Sequence, residues 1–445
     1  MGRQSWLAAL TALLFLSGCS DDDPLRPPPR PARNVRLAAD GSGDYPTIQA
    51  AIDASISGDT ISLDNGRYDG PGNVNLDFGG RNLVLRGNSG DPINCIVGNY
   101  DQSASDYRGF WFHSNETSAA AVENIMITNA RASYGGGGGV LCEGASPTFR
   151  NVIFDANRTN AVGSHGGSPT FVDCVFQGNL DGGAFFTAGA PRLVRCVFAW
   201  NYIDGRGAGV SAWYSNLTVD SCVFIGNGAT FGGAGIESWA TGESGPGRIT
   251  VTNCLFVDNI SGYHGGAVMC SETSVAFTNC VFSRNACGIM GGAFLCSYRS
   301  PTIVSNCIFY GNDATQGAAI NAQEDSLLTI EKSVIALNTG SPAIACGSFV
   351  EGPFAPTLVC TDVWGNPDGN WVDCIAGQDS VRNNVSLDPM FCDPSQDDFR
   401  LQPESPLFGF GCGPTFKATQ IDSWRRLIAR AGKRQDLSSL SRASP

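Results

Sequence analysis

The chain has 445 residues, of which 56 are glycine and 42% are hydrophobic, and its formal net charge is −13. It is too apolar for a disordered chain and too rich in glycine for a helical one. The acidic balance excludes nucleic acid as the main partner, and it excludes docking on an anionic membrane through the protein surface.

At the N-terminus Arg3 supplies positive charge, and the run Trp6 to Leu16 is apolar but too short to span a bilayer. It ends in Leu16-Ser17-Gly18-Cys19, which resembles a bacterial lipobox. The resemblance implies that residues 1–19 are a lipoprotein signal peptide and that Cys19 is the lipidated residue. Ser20-Asp21-Asp22-Asp23 resembles the surface-export signal of Bacteroidetes-type lipoproteins; read on its own it is a solvated acidic tether. Residues 24–33, PLRPPPRPAR, form a stiff extended spacer, so that 20–34 is a Pro-rich tether. The expectation is an exported protein held at the outer membrane and exposed at the cell surface, touching the membrane through its lipid alone.

Thr47 to Ser55 reads as a helix. Ile48, Ala51, Ile52 and Ser55 fall on one face, with Pro46 at the start.

From about residue 120 one unit repeats, apolar-x-(Asn/Asp)-Cys-Val-Phe-x-x-Asn. Its large apolar column is Phe154, Phe176, Phe198, Phe224, Phe256, Phe282, Phe309 and Ile335, with spacings of 22, 22, 26, 32, 26, 27 and 26. Three residues after each member stands an asparagine, from Asn157 to Asn338. A Gly-rich segment follows and gives a second column: Val140, Val162, Phe185, Val210, Ile236, Val268, Phe294, Ile320 and Ile344. The short β-branched and aromatic runs are strands. Cys174 and Phe176 are two apart and share a face. A left-handed bend at the Asn or Asp before the cysteine brings the preceding apolar residue back to the inside. Each unit is therefore three short strands separated by corners. Stacked units pair every strand with its copy above and below, because no unit buries its apolar face alone. The predicted fold is all-β, a right-handed parallel β-helix over 35–412 with a short N-terminal capping helix. Helical repeats would show a 3.6-residue apolar period, and propeller blades are longer than these units.

The cysteines Cys174, Cys196, Cys222, Cys254, Cys280 and Cys307 occupy one repeat position, with Val152 and Ser333 at its ends. Valine there favours a buried stack of small side chains over a metal or redox array. Cys142, Cys270, Cys296 and Cys346 read the same way. Cys360, Cys374, Cys392 and Cys412 lie where the repeat degrades and are the disulfide candidates, their pairing open. Residues 413–445 carry seven Lys or Arg against two Asp and read as a solvated basic tail with one short helix from Ile421 to Ala431.

Residues 40–54, DGSGDYPTIQAAIDA, are similar to the opening of pectin methylesterases, and the helix within them resembles the N-terminal cap of pectin-lyase-like β-helix proteins. The segment Leu387-Asp-Pro-Met-Phe-Cys-Asp-Pro and its continuation to Pro406 resemble the end of many bacterial right-handed β-helix repeat proteins. The resemblance implies a fold that hosts lyases, hydrolases, esterases, adhesins and spacers, so function must come from a site. The catalytic motifs of those enzymes are not matched. Asp181 echoes the second aspartate of the esterases, but their first aspartate motif and their arginine motif are missing. His165 and His264 lack the Gly-His-Gly context of polygalacturonases, and no acidic cluster supplies a calcium site.

One surface stands out. Trp213 and Trp239 each follow their strand marker by three and face outward one turn apart. Tyr214 and Tyr298 sit one position later in their own turns. Glu237 faces outward beside Trp239. In the preceding corner Arg206 and His264 are equivalent, with Asp204 near. Aromatic faces flanked by polar groups hold sugar rings, which makes Trp213, Tyr214, Glu237 and Trp239 candidate glycan-binding residues. Asp204, Arg206 and His264 are secondary candidates. The functional expectation is a surface protein that binds glycan or a cell-surface partner, with no cofactor or metal. A polysaccharide lyase or hydrolase and a structural stalk are the alternatives.

Overall fold

The computed structural model describes residues 30–98, 107–132, 136–241, 247–347, 355–411, 414 and 416–431. The lipobox, Cys19 and most of the tether lie outside these residues. The final stretch of the tether is anchored. Arg30 pairs with the buried carboxylate of Asp59, and the Arg33 amide donates to its Oδ1 at 2.9 Å.

Each repeat folds into three short strands, and stacking builds three long walls. Among the described residues these are parallel sheets of 13, 12 and 11 strands. The first wall holds Thr148–Arg150 and its copies, the second Ile153–Asp155, the third Val140–Glu143. A four-stranded sheet runs along the corner between the second and third walls. The chain is a parallel β-helix, as the two residue columns predict.

The inside is filled by those columns. Phe154, Phe176, Phe198, Phe224, Phe256, Phe282 and Phe309 are fully buried and stack ring on ring, with centroids 4.5 to 4.9 Å apart. That distance is the strand spacing itself, so stacking costs no departure from the ladder. The asparagines after them are buried too. Each amide donates to the side-chain oxygen of the next, as in Asn179 Nδ2 to Asn201 Oδ1 at 2.8 Å, and to a carbonyl of the preceding turn, that of Ile127 for Asn157 and of a phenylalanine from Asn179 to Asn338. Every acceptor in this ladder also receives a backbone amide, so the corner is satisfied without water. The bend before the cysteine column is left-handed at Asn151, Asp173, Arg195, Ser221, Asn253, Asn279, Asn306 and Lys332, with φ between 49° and 57°. Stacking enforces this conformation even where the residue is arginine, serine or lysine, at a cost of order 1 kcal/mol each.

Three expectations need correction. Val162 pairs with Ala184, not with Phe185. Ala184 and Phe186 point inward, and Phe185 belongs to the outer face. From Val140 through Val162 and Ala184 to Val210 the inward column then steps by 22, 22 and 26, the same steps as from Phe154 to Phe224. Cys346 is not a buried stack member like Cys142, Cys270 and Cys296. It forms a disulfide with Cys374, with Cα atoms 5.9 Å apart. Cys360 is disulfide-bonded as well, Cys392 is a free exposed thiol, and Cys412 lies outside the described residues. Burial pushes the Cys296 thiol up to about 12, as expected of an inert core group. Finally, the C-terminal helix is not solvated. Ala418–Arg430 lies along the second wall with Ile421, Trp424 and Leu427 buried. Trp424 Nε1 donates to the Asn253 carbonyl at 2.8 Å, and Arg430 reaches Asn151 and the Asp173 carbonyl.

The N-terminal cap spans Ile48–Asp53. Thr47 is its N-cap, and Ile48, Ala51 and Ile52 close the end of the core. Pro46 stands one residue before the cap.

Candidate functional site

The candidate residues lie on the outer face of the third wall and the corner beside it. Strand alternation sets two outward columns there. One runs Asp77, Trp111, Leu141, Gly163, Phe185, Ser211, Glu237, Met269 and Leu295. The other runs Glu143, His165, Thr187, Trp213, Trp239, Ser271 and Ser297.

Trp213 and Trp239 are paired on adjacent strands, with ring centroids 5.5 Å apart and planes at 78°. They make an edge-to-face pair rather than one flat platform. Tyr214 tilts against Trp239 at 5.9 Å, and Phe185 meets Trp213 edge-on at 5.2 Å. The aromatic residues thus form a continuous strip along the solenoid axis.

Glu237 has the outward parity predicted for it, yet it is only 2% exposed. Larger neighbours cover it. Its Oε2 accepts Ser211 Oγ at 2.7 Å and Trp213 Nε1 at 2.9 Å. Burial pushes its carboxyl above the ordinary carboxylate range; the two hydrogen bonds and the Arg206 charge pull the other way. What this geometry does is fix the Trp213 indole through a carboxylate that solvent hardly reaches.

In the corner, Arg206, Gly232, His264 and Met290 form one bridged column. Arg206 and His264 are therefore equivalent and two turns apart, with a glycine between them. A Cβ at Gly232 would come within 2.6 Å of the Met269 sulfur, so the flexible Met269 side chain would have to shift to admit one. Burial lowers the His264 pKa, and the Arg206 charge adds to that, so the imidazole is neutral near pH 7. Asp204 is exposed on the same corner and does not line the groove described next. Its charge and burial together raise the Asp181 carboxyl, burial being the larger cause.

A groove of about 520 Å³ opens against this wall. Arg206, Trp239, His264, Met269, Tyr298 and Glu324 are among its lining. A second depression of about 410 Å³ shares Met290 and Gln323 with it and continues toward the Cys346–Cys374 disulfide. Two buried polar atoms on the groove wall have no hydrogen-bond partner, His264 Nδ1 and Glu324 Oε2. The structure thus brings Trp239, Tyr298, Arg206 and His264 to one groove and places Trp213 and Tyr214 at its end. Among the described residues no three His, Cys, Asp or Glu side chains converge as metal ligands would.

Sequence reasoning missed Phe185, Trp111, Met269 and Glu324 on this surface. The signal for Phe185 was the pair of spacings around it, 23 and 25, where the phenylalanine column steps by 22 and 26. For Trp111 it was the Phe-Trp-Phe alternation at 110–112, which lies before the clear repeat begins.

A family model for the right-handed beta helix region matches residues 72–256 and 243–385. The chain belongs to this right-handed β-helix family. No curated protein matches it. Among solved structures it is similar to the catalytic domain of a GH87 α-1,3-glucanase in complex with nigerose, at 14% identity and TM-score 0.46, covering 81% of this chain and 69% of that one. It is similar to a mannuronic acid-specific polysaccharide family 6 lyase from human gut microbiota, at 10% identity and TM-score 0.44, covering 89% of this chain and 100% of that one. It is also similar to tailspike protein 3 of bacteriophage CBA120, at 13% identity and TM-score 0.39, covering 76% and 55%. These likenesses concern the path of the backbone; the site has to be read from this chain's own residues.

Proposed function

We propose that this β-helix protein binds glycan through the third-wall groove, and that it is exported and anchored at the outer membrane through Cys19. One observation carries the binding reading. An open groove is bordered by aromatic rings and by two buried polar atoms that no protein group satisfies. A buried polar atom without a partner costs about 1–3 kcal/mol, and a side-chain rotation that turns His264 Nδ1 or Glu324 Oε2 toward a bound hydroxyl would remove that cost. Indole and phenol faces beside them supply the apolar half of sugar recognition. Glu237, held by burial under Trp213, keeps that indole in place.

Titration of tryptophan fluorescence against a panel of polysaccharides tests this. A saturable change is expected in the wild type and should disappear in Trp213→Ala/Trp239→Ala. No response to any member of the panel, or an equal response in the double variant, rejects the groove as a glycan site.

A further inference from the structure

The same outer face carries a second aromatic cluster, well away from the groove. Trp111 is 38% exposed and lies flat on His113, with ring centroids 3.8 Å apart and planes at 27°. Its Nε1 donates to Glu143 Oε2 at 2.7 Å. His113 Nε2 contacts Asp77 Oδ2 at 3.2 Å. Trp111 is thus locked on both sides and presents its free face to solvent, as Trp213 is locked by Glu237. Two carboxylate-to-indole hydrogen bonds on one wall are two copies of one device for holding a ring still. A ring held in advance loses little freedom when a ligand stacks on it.

The two clusters lie on one line. Trp111 pairs with Leu141, Leu141 with Gly163, Gly163 with Phe185 and Phe185 with Ser211. Four rungs at about 4.8 Å separate Trp111 from the rung of Trp213 by roughly 19 Å. Between the two clusters the column passes the buried Leu141, then Gly163, then the Phe185 ring, which adds an apolar face beside Trp213. Gly163 has no side chain. His165 is tied to Thr187 at 2.8 Å and meets Phe185 edge-on at 6.0 Å. All three histidines of the chain, His113, His165 and His264, fall on this face or its corner.

The charges select the class of ligand. Asp77 and Glu143 are anionic at the N-terminal end, and Glu272 and Glu324 at the groove, where Arg206 is cationic. A polyanion would meet net repulsion along such a line, on a chain that is already strongly acidic. A neutral polyhydroxylated chain would find acceptors for its hydroxyls and flat rings for its apolar faces.

We infer that Trp111 and His113 form a second carbohydrate subsite, and that the third wall binds a neutral linear polysaccharide laid along the solenoid axis from Trp111 to the groove. This extends the groove reading and rests on it. A disaccharide is too short to reach both clusters, so the second subsite shows itself only with long ligands.

The test compares cellobiose, mannobiose, glucomannan, laminarin and alginate by calorimetry and by retardation in polymer-containing native gels, using the full chain. The wild type should bind glucomannan or laminarin more tightly than either disaccharide, and bind alginate least. Trp111→Ala should weaken polymer binding about three- to tenfold, the range expected for loss of one stacking contact, and leave disaccharide binding unchanged. Unchanged polymer affinity in Trp111→Ala, with binding lost in Trp213→Ala/Trp239→Ala, overturns the second subsite and leaves the groove reading standing. Tighter binding of alginate than of the neutral polymers overturns the neutral class. Absence of binding to all five probes overturns the groove reading and this extension together.

Discussion

The second and third walls are built from the same coil, yet their outer faces are put to opposite uses. Outside the second wall, Ile153, Val175, Val197, Val223, Leu255, Val281, Ile308 and Val334 form an unbroken aliphatic stripe. The C-terminal part of the chain covers it. Ile421, Trp424 and Leu427 of the C-terminal helix pack on it, as do Phe391, Phe399 and Leu407. Arg284 pairs with Asp397 at 2.9 Å to hold that segment down. Outside the third wall no residue type repeats for more than a rung or two, and nothing in the described chain covers the face. An outward position that repeats is serving the fold, because a uniform apolar column needs a uniform cover. An outward position that varies from rung to rung is free of that duty, and there aromatic and charged residues gather.

The contrast is sharpest where the core itself is cut. Phe224 sits between Phe198 and Phe256 in the ring stack. Phe224→Ala should cost about 3–5 kcal/mol, since the rigid coil cannot collapse into the gap. Urea unfolding should show the loss. If instead only glycan binding fell, with the midpoint unchanged, the assignment of walls to duties would be reversed.

Next in size is a pH effect at the foot of the second wall. Asp362 takes the place of the stripe's aliphatic residue, pairing with Val334. It is fully buried; its Oδ1 accepts the Leu387 amide at 2.9 Å and its Oδ2 has no partner. Burial pushes its carboxyl from 3.8 up to about 7, with the Asp388 charge adding to the rise. A carboxyl raised in the folded state favours folding when protonated. That contribution is complete below the unfolded pKa of about 4 and is lost as pH climbs through 7. A shift of about three units corresponds to at most about 4 kcal/mol. Asp362→Asn keeps the acceptor for Leu387 and removes the charge. It should flatten the fall in stability between pH 4 and 8, and at pH 8 it should melt higher than the wild type. An unchanged pH slope in the variant would show that the carboxylate is accommodated at no cost.

Much of this was legible beforehand, and the reasons are physical. The phenylalanine and asparagine columns announce themselves because stacking permits one solution per rung, and the sequence repeats it from Phe154 to Asn338. The left-handed bend could be read from the Asn or Asp before Cys174, Cys254, Cys280 and Cys307, since those residues tolerate it best. The outer aromatic pair Trp213 and Trp239 followed from parity alone. Depth could not be read the same way. Parity makes Glu237 outward, but its burial depends on the rings above it, which belong to other rungs. The pairing of Cys346 with Cys374 was hidden for a related reason, since the partner stands beyond the last regular turn. Docking of the C-terminal helix was written in Ile421, Trp424 and Leu427, a three-residue apolar stripe that the surrounding arginines outweighed.

A smaller effect separates cover from site. Trp424→Ala should unseat the C-terminal helix from the stripe and speed amide exchange at Ile421–Leu427 and along Val223 and Leu255, with a loss of about 3 kcal/mol or less because the helix alone is freed. Glycan titration of the third wall should be the same as in the wild type. A change in binding would mean that the two faces communicate through the core.

The smallest effect tests whether Glu237 positions rather than binds. Glu237→Gln retains an oxygen that can accept from Ser211 and from the Trp213 indole, so stability should change by no more than about 1 kcal/mol. The wild-type carboxyl, raised by burial, loses its proton at a higher pH than an exposed glutamate would. Below that point it is neutral and the fold is favoured; above it a charge appears under Trp213 and stability falls. Trp213 emission should follow that step in the wild type and stay flat in Glu237→Gln, while glycan affinity at neutral pH changes less than in Trp213→Ala. Affinity lost as fully in Glu237→Gln as in Trp213→Ala would make the carboxylate itself a ligand contact, and the buried position would then have to open when glycan binds.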